Sequence, residues 1–167
     1  MLNLPTESEC AERLKELVLE RGLRCECNDT RGFYWLRKKA CFECKNRGCK
    51  ATLYLKGLTK MRGSKLPFRI WLGAIYLYVI DQNVTATEMQ EKLGHDTYSS
   101  MWELLEKIKT LDVGISELRD KYKAENDNTN VIPDHLMHLW WLGFHQAFIV
   151  REPSEVQNGI WNWLIDF

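Results

Sequence analysis

The sequence predicts an α+β fold that is mostly α, with one small β element set ahead of a helical body. Three observations lead there. Apolar residues recur at helical spacing over residues 6–21 and again beyond residue 66. Between them, residues 23–60 show no helical period and hold two β-prone runs, Phe33 to Leu36 (FYWL) and Ala51 to Leu55 (ATLYL), bounded by Gly32 and Gly57. The chain has 167 residues, 45% of them hydrophobic, which suits one domain of ordinary size or two small ones with a packed core.

Taken in order, residues 6–21 read as a helix capped by Thr6 with Glu9 three residues on, and stopped by Gly22. Cys10, Leu14, Leu17 and Val18 form its apolar stripe, so Cys10 is expected in the core and not as a ligand. Pro67 suits the first turn of a helix that runs to about Asp81. Its apolar run of 11 residues, Ile70 to Ile80, is too short to span a bilayer and fits a buried helix. Thr85, with Glu88 three residues on, caps the next helix, which presents Met89 and Leu93 on one face and ends at Gly94. Asp96 or Thr97 begins another, Tyr98 to Leu111, with Met101, Trp102, Leu105 and Ile108 expected inward. A short helix, a glycine-containing turn and a second helix make a helix-turn-helix pattern. Residues 112–123 continue helically, Lys123 to Asn130 is a polar linker, and helices open at Pro133 and Pro153. The expected units are the N-terminal helix (1–22), the cysteine-containing β element (23–62), the helix-turn-helix domain (63–122) and a tryptophan-rich helical segment (131–167). That last segment holds four of the seven tryptophans.

Net charge is zero, but its distribution is uneven. Residues 1–20 carry −3, residues 21–69 carry +11 and residues 70–167 carry −8. The basic segment is also the cysteine segment, since five of the six cysteines lie between Cys25 and Cys49. No signal-peptide pattern opens the chain. We therefore expect a soluble intracellular protein in a reducing compartment, nucleoid or nucleus, where clustered cysteines bind metal more often than they form disulfides.

A structural zinc site takes four ligands, commonly two pairs from two turns. Cys25 and Cys27 make the first pair, with a spacer one residue shorter than usual. The second comes from Cys41, Cys44 and Cys49: Cys41-x2-Cys44 has the usual knuckle spacing, and Cys44-x4-Cys49 also fits. Short strands with cysteines at their turns are the layout of a zinc ribbon, in which the metal supplies free energy that so small a sheet lacks. Arg24, Lys45, Arg47 and Lys50 around the cysteines favour thiolates. His135, His138 and His145 share one helix face near Trp141 and read as a partly buried aromatic surface. No H-E-x-x-H, phosphate-loop, dinucleotide-binding or nucleophile-elbow motif occurs.

The order of these parts, TESEC in a first helix, a cysteine pair after GLR, a second cysteine pair, and then RGSKLPFRIWLGAIYLYV (Arg62 to Val79), resembles the N-terminal region of Merlin-type insertion-sequence transposases. In that family a zinc ribbon leads through a GSKLP segment into a helix-turn-helix. The resemblance covers roughly residues 6–110, implies Zn2+ as cofactor, and favours Cys25, Cys27, Cys44 and Cys49 as ligands with Cys41 as a substitute. The chain departs from the family in its C-x-C knuckle and in Glu103 and Glu106 on the second helix of the pair. The 57 residues beyond Thr110 are too few for the family's nuclease domain, and Asp112, Asp120, Asp127 and Asp134 are scattered, so no catalysis is expected of them.

The resemblance and the charge together imply a non-catalytic, zinc-dependent DNA-binding protein, a transcriptional or transposition regulator, with RNA as the other candidate nucleic acid. Phosphate contacts fall to Arg37, Lys38, Lys39, Lys45, Arg47, Lys50, Lys60, Arg62 and Lys65, with Phe33, Tyr34 and Trp35 among them, and base contacts to Tyr98, Ser99 and Ser100. The alternative is a protein-interaction or ribonucleoprotein module in which the ribbon is structural and the tryptophan-rich end docks a partner or a second copy.

Overall fold

The computed structural model describes residues 2, 4–28, 30–111, 115–116, 120 and 155–165. The expected linker, the helix opened by Pro133 and the residues Trp140, Trp141, His135, His138 and His145 lie outside them. The class is α+β and mostly α: helix α1 (Glu7–Glu20), strands β1 (Phe33–Leu36), β2 (Cys41–Cys44) and β3 (Thr52–Tyr54), then helices α2 (Phe68–Ile80), α3 (Ala86–Leu93), α4 (Tyr98–Thr110) and α5 (Glu155–Ile165).

Local chemistry sets the helix ends. Both expected capping boxes form. Thr6 N–H donates to Glu9 at 2.8 Å and Glu9 N–H returns to Thr6 Oγ1 at 3.3 Å. Thr85 and Glu88 repeat the pair with the same distances. Gly94 closes α3 with φ 63°, a left-handed cap that costs a glycine no Cβ clash. α2 begins one residue later than the proline suggested, with Pro67 as the cap position and no capping side chain of its own. Its exposed amides are taken instead by Glu7 from α1, whose carboxylate accepts from Phe68 N at 2.9 Å and Arg69 N at 3.2 Å. The segment leading in is also fixed locally. Ser64 Oγ accepts from the Trp71 indole at 2.9 Å and from Leu66 N at 3.2 Å, and Gly63 adopts φ 79°.

The three strands form an antiparallel sheet ordered β1-β2-β3, with Trp35 opposite Phe42 and Phe42 opposite Leu53. Because side chains alternate along a strand, Phe33, Trp35, Phe42 and Leu53 share the inner face. Phe42 packs against Trp35 with ring centroids 4.9 Å apart and planes tilted by 48°, and meets Phe33 edge-on at 6.2 Å. α1 binds this face through Glu12, which accepts from Trp35 Nε1 at 3.1 Å, pairs with Arg37 at 3.3 Å and holds Lys15 at 2.6 Å. β2 is the central strand, yet its CFEC sequence carries almost no β signal beyond Phe42.

One hydrophobic core joins all of these elements. It runs from Leu14 of α1 through Phe42 and Leu55 to Trp71 and Ile75 of α2, which is buried almost throughout, then to Met89, Met101 and Ile108. Trp161 and Trp163 of α5 are buried in that same core. The α5 backbone is pinned by Lys60, whose amide donates to Leu164 O and whose ammonium donates to Trp163 O, both at 2.8 Å. The expected inward stripe of α4 needs one correction. Trp102 is exposed, and Leu104 is buried with Met101, Leu105 and Ile108. α4 packs on both α2 and α3, so its buried arc is wider than a single stripe and shifts toward Leu104. Among the described residues no helix is long and apolar enough to cross a membrane.

Candidate metal centre

The sulfurs of Cys25, Cys27, Cys44 and Cys49 all lie within 4.8 Å of one another. Cys25 Sγ is 3.5 Å from Cys49 Sγ, and Cys27 Sγ is 3.6 Å from Cys44 Sγ. All four cysteines are free, with no disulfide among them. A tetrahedron with metal–sulfur bonds of about 2.3 Å has edges of about 3.8 Å, so the set is close to the size of a tetrathiolate site. The four sulfurs could hold a metal ion.

Two turns build the cluster. After Cys25, the Asn28 amide donates back to Cys25 O at 2.9 Å, and Asn28 takes φ 55°, which asparagine tolerates better than most residues. This turn lets a one-residue spacer aim both sulfurs inward. The second turn follows β2. Asn46 N–H donates to Cys44 Sγ at 3.4 Å, Asn46 O accepts from Cys49 N at 2.9 Å, and Asn46 Oδ1 accepts from Gly48 N at 3.0 Å. Lys50 completes the turn at φ 51°.

The Asn46 amide pulls the Cys44 pKa down, but burial and the neighbouring Cys27 and Cys25 thiols outweigh it and push the pKa up to about 12. At Cys49 the Ala51 amide acts downward while the Cys25 thiol and burial act upward, and the net shift is up. Crowded thiols resist ionising together, and a cation at their centre reverses that sign.

Cys41 stays outside the cluster. Its spacing to Cys44 matches a knuckle, but both residues lie on strand β2, where three residues span about 10 Å and odd offsets face opposite ways. Cys41 is buried opposite Leu36 and Tyr54, and burial raises its pKa. Cys10 lies in the core, where burial lifts its thiol to about 12.

The basic residues divide by what they already hold. Arg37 is bound to Glu12 and donates to Ser8 Oγ at 3.0 Å. Lys60 sits on the Trp163 ring at 4.4 Å, and Lys45 on the Tyr34 ring at 5.3 Å. Lys38, Lys39, Arg47, Lys50, Arg62 and Lys65 are exposed, and among the described residues their side chains form no ion pair. Tyr98 is exposed at the start of α4 with Ser99 beside it, while Ser100 is half-buried. The same helix exposes Trp102, Glu103 and Glu106.

Sequence reasoning missed Tyr54, and it counted Lys56 among the solvent-facing cations of the ribbon. Lys56 donates to Leu66 O at 2.6 Å, lies over Phe68 at 5.2 Å and has its pKa lowered by burial. Tyr54 stands out from β3, and the alternation of Thr52, Leu53 and Tyr54 was the available signal. No family model, curated protein or solved structure matches this chain.

Proposed function

We propose that this is a non-catalytic, zinc-dependent DNA-binding protein related to the N-terminal region of Merlin-type transposases, acting as a regulator. The observation that carries the reading is the exposed basic rim of the small sheet. Arg47 and Lys50 flank the cysteine cluster and Lys38 and Lys39 lie at the other end of the same sheet, all four exposed, while the helical body is acidic. Four thiolates suit zinc among the common metals, and a site closed by four protein ligands leaves no open position, so its role is structural. Such a metal would tie the turn after Cys25 to the turn after β2, and so present the basic side chains on a rigid frame.

The test is the salt dependence of affinity for a labelled DNA, measured on zinc-loaded protein. Each phosphate neutralised contributes a log–log slope of about −0.9 on duplex. Replacing Lys38, Lys39, Arg47 and Lys50 with glutamine should flatten the slope by about 3.6 and weaken binding at all sequences alike. Unchanged affinity in that variant would sink the reading. One observation favours a second reading, a protein-docking module. The outward face of α4 combines Tyr98 and Trp102, 53% and 51% exposed, with Glu103 and Glu106, a surface that repels phosphate but suits a protein partner.

A further inference from the structure

If nucleic acid binds the basic rim, the acidic face of α4 is a poor reader of a duplex groove, and the bases need another platform. The outer face of the sheet supplies one. Tyr34 stands opposite Glu43, and Glu43 stands opposite Thr52, so Tyr34, Thr52 and Tyr54 share that face by register. The two tyrosines are the most exposed large hydrophobic side chains of the ribbon, at 57% and 58%. From strand spacing and the two-residue offset they stand roughly 12 Å apart.

Each ring has a cation beside it. Lys45 lies 5.3 Å over Tyr34. Tyr54 forms one wall of a cleft of about 440 Å3 between α1 and the ribbon, also lined by Lys38, Lys39 and Lys56. That volume is within the range of ligand pockets. Glu7, the acidic residue lining the cleft, is already occupied by the Phe68 and Arg69 amides. Lys38 and Lys39 are therefore left to meet an anion.

We propose that the outer sheet face binds single-stranded nucleic acid, with bases stacked on Tyr34 and Tyr54 and a backbone phosphate seated in the cleft by Lys38 and Lys39. Paired aromatics on a small sheet, flanked by cations, take splayed bases of a single strand, whereas bases stacked inside a duplex cannot reach them. Glu43 lies between the rings and weakens the site by its charge. The inference rests on the nucleic-acid reading above and narrows its ligand.

The experiment is fluorescence anisotropy of zinc-loaded protein with labelled oligo-dT, oligo-U and a duplex of equal length, at fixed low salt. The single strands are expected to bind more tightly than the duplex. Tyr54→Ala and Tyr34→Ala should each lose roughly five- to a hundredfold in single-strand affinity, Tyr54→Phe should keep it, and Glu43→Gln should raise it. These side chains are exposed or half-exposed, and far-UV circular dichroism with zinc content verifies that each variant folds. Oligo-dT against oligo-U separates DNA from RNA as the source of the strand. Duplex bound as tightly as single strands, or alanine variants that bind like the parent, overturns this inference and leaves the function reading standing. No binding to any of the three overturns both.

Discussion

Gly73 sets how closely α2 approaches its neighbours, and replacing it with alanine makes a sharp test of the packing. A Cβ there would collide with a methyl of Leu93 on α3 and stand 2.8 Å from Leu4 Cδ1. Both leucines are buried, so neither side chain swings into solvent at no cost. Two effects compete. Alanine gains about 1 kcal/mol over glycine inside a helix. Inserting a methyl into a filled core costs about 1–3 kcal/mol. The net expectation for Gly73→Ala is a loss of about 1 kcal/mol, seen in thermal unfolding as a fall in Tm of roughly 2–4 °C for a domain of this size. Gly73→Val should lose more, since its branched Cβ is also stiff in a helix. Shortening Leu93 to alanine should reverse the sign: on that background, Gly73→Ala refills the space and recovers stability, a coupling that a double-mutant cycle measures. A Gly73→Ala protein about 1 kcal/mol more stable than the parent would refute the close approach.

Three further outcomes are expected. Cys44→Ser and Cys49→Ser should each abolish stoichiometric zinc, while Cys41→Ser and Cys10→Ser keep it. Elemental analysis decides this, and zinc lost with Cys41 would redraw the cluster. Lys60→Ala should destabilise the protein by roughly 1–3 kcal/mol, because a charged hydrogen bond and a cation–π contact to Trp163 both go. Nucleic-acid affinity should stay unchanged, and a large affinity loss at unchanged stability would instead make Lys60 a phosphate contact. The third concerns acid stability. Lys15, then Trp35 and Arg37, hold the Glu12 carboxyl below its ordinary 4.5. A depressed carboxyl stabilises the fold above the unfolded value and loses that contribution as pH falls through the folded one. Denaturant midpoints should therefore drop less steeply below pH 4.5 in Glu12→Gln than in the parent. Parallel pH profiles would show that Glu12 does not join α1 to the ribbon.

The sequence by itself determined whatever depends on near neighbours. Thr6 with Glu9 and Thr85 with Glu88 are capping boxes because their partners sit one turn away. The helical periods placed α1, α3 and α4, and the unbroken apolar run of α2 marked it as buried. The cysteine spacings gave Cys25 and Cys27 as one pair and left Cys41, Cys44 and Cys49 open for the other; only the family resemblance favoured Cys44 and Cys49, whose sulfurs do cluster with the first pair.

Only the tertiary structure decided the rest. β2 was invisible as a strand, and it is the strand that carries Cys41 away from Cys44. Trp102 faces out because the contacts of α4 with α2 and α3 rotate its buried arc toward Leu104. Glu7 caps a helix 61 residues away, and Lys60 is spent on a tryptophan 103 residues away. Spacing along a chain reports contacts within a turn or two. The caps, clusters and faces that join distant segments follow from how the segments pack, and no local pattern of residue types encodes that.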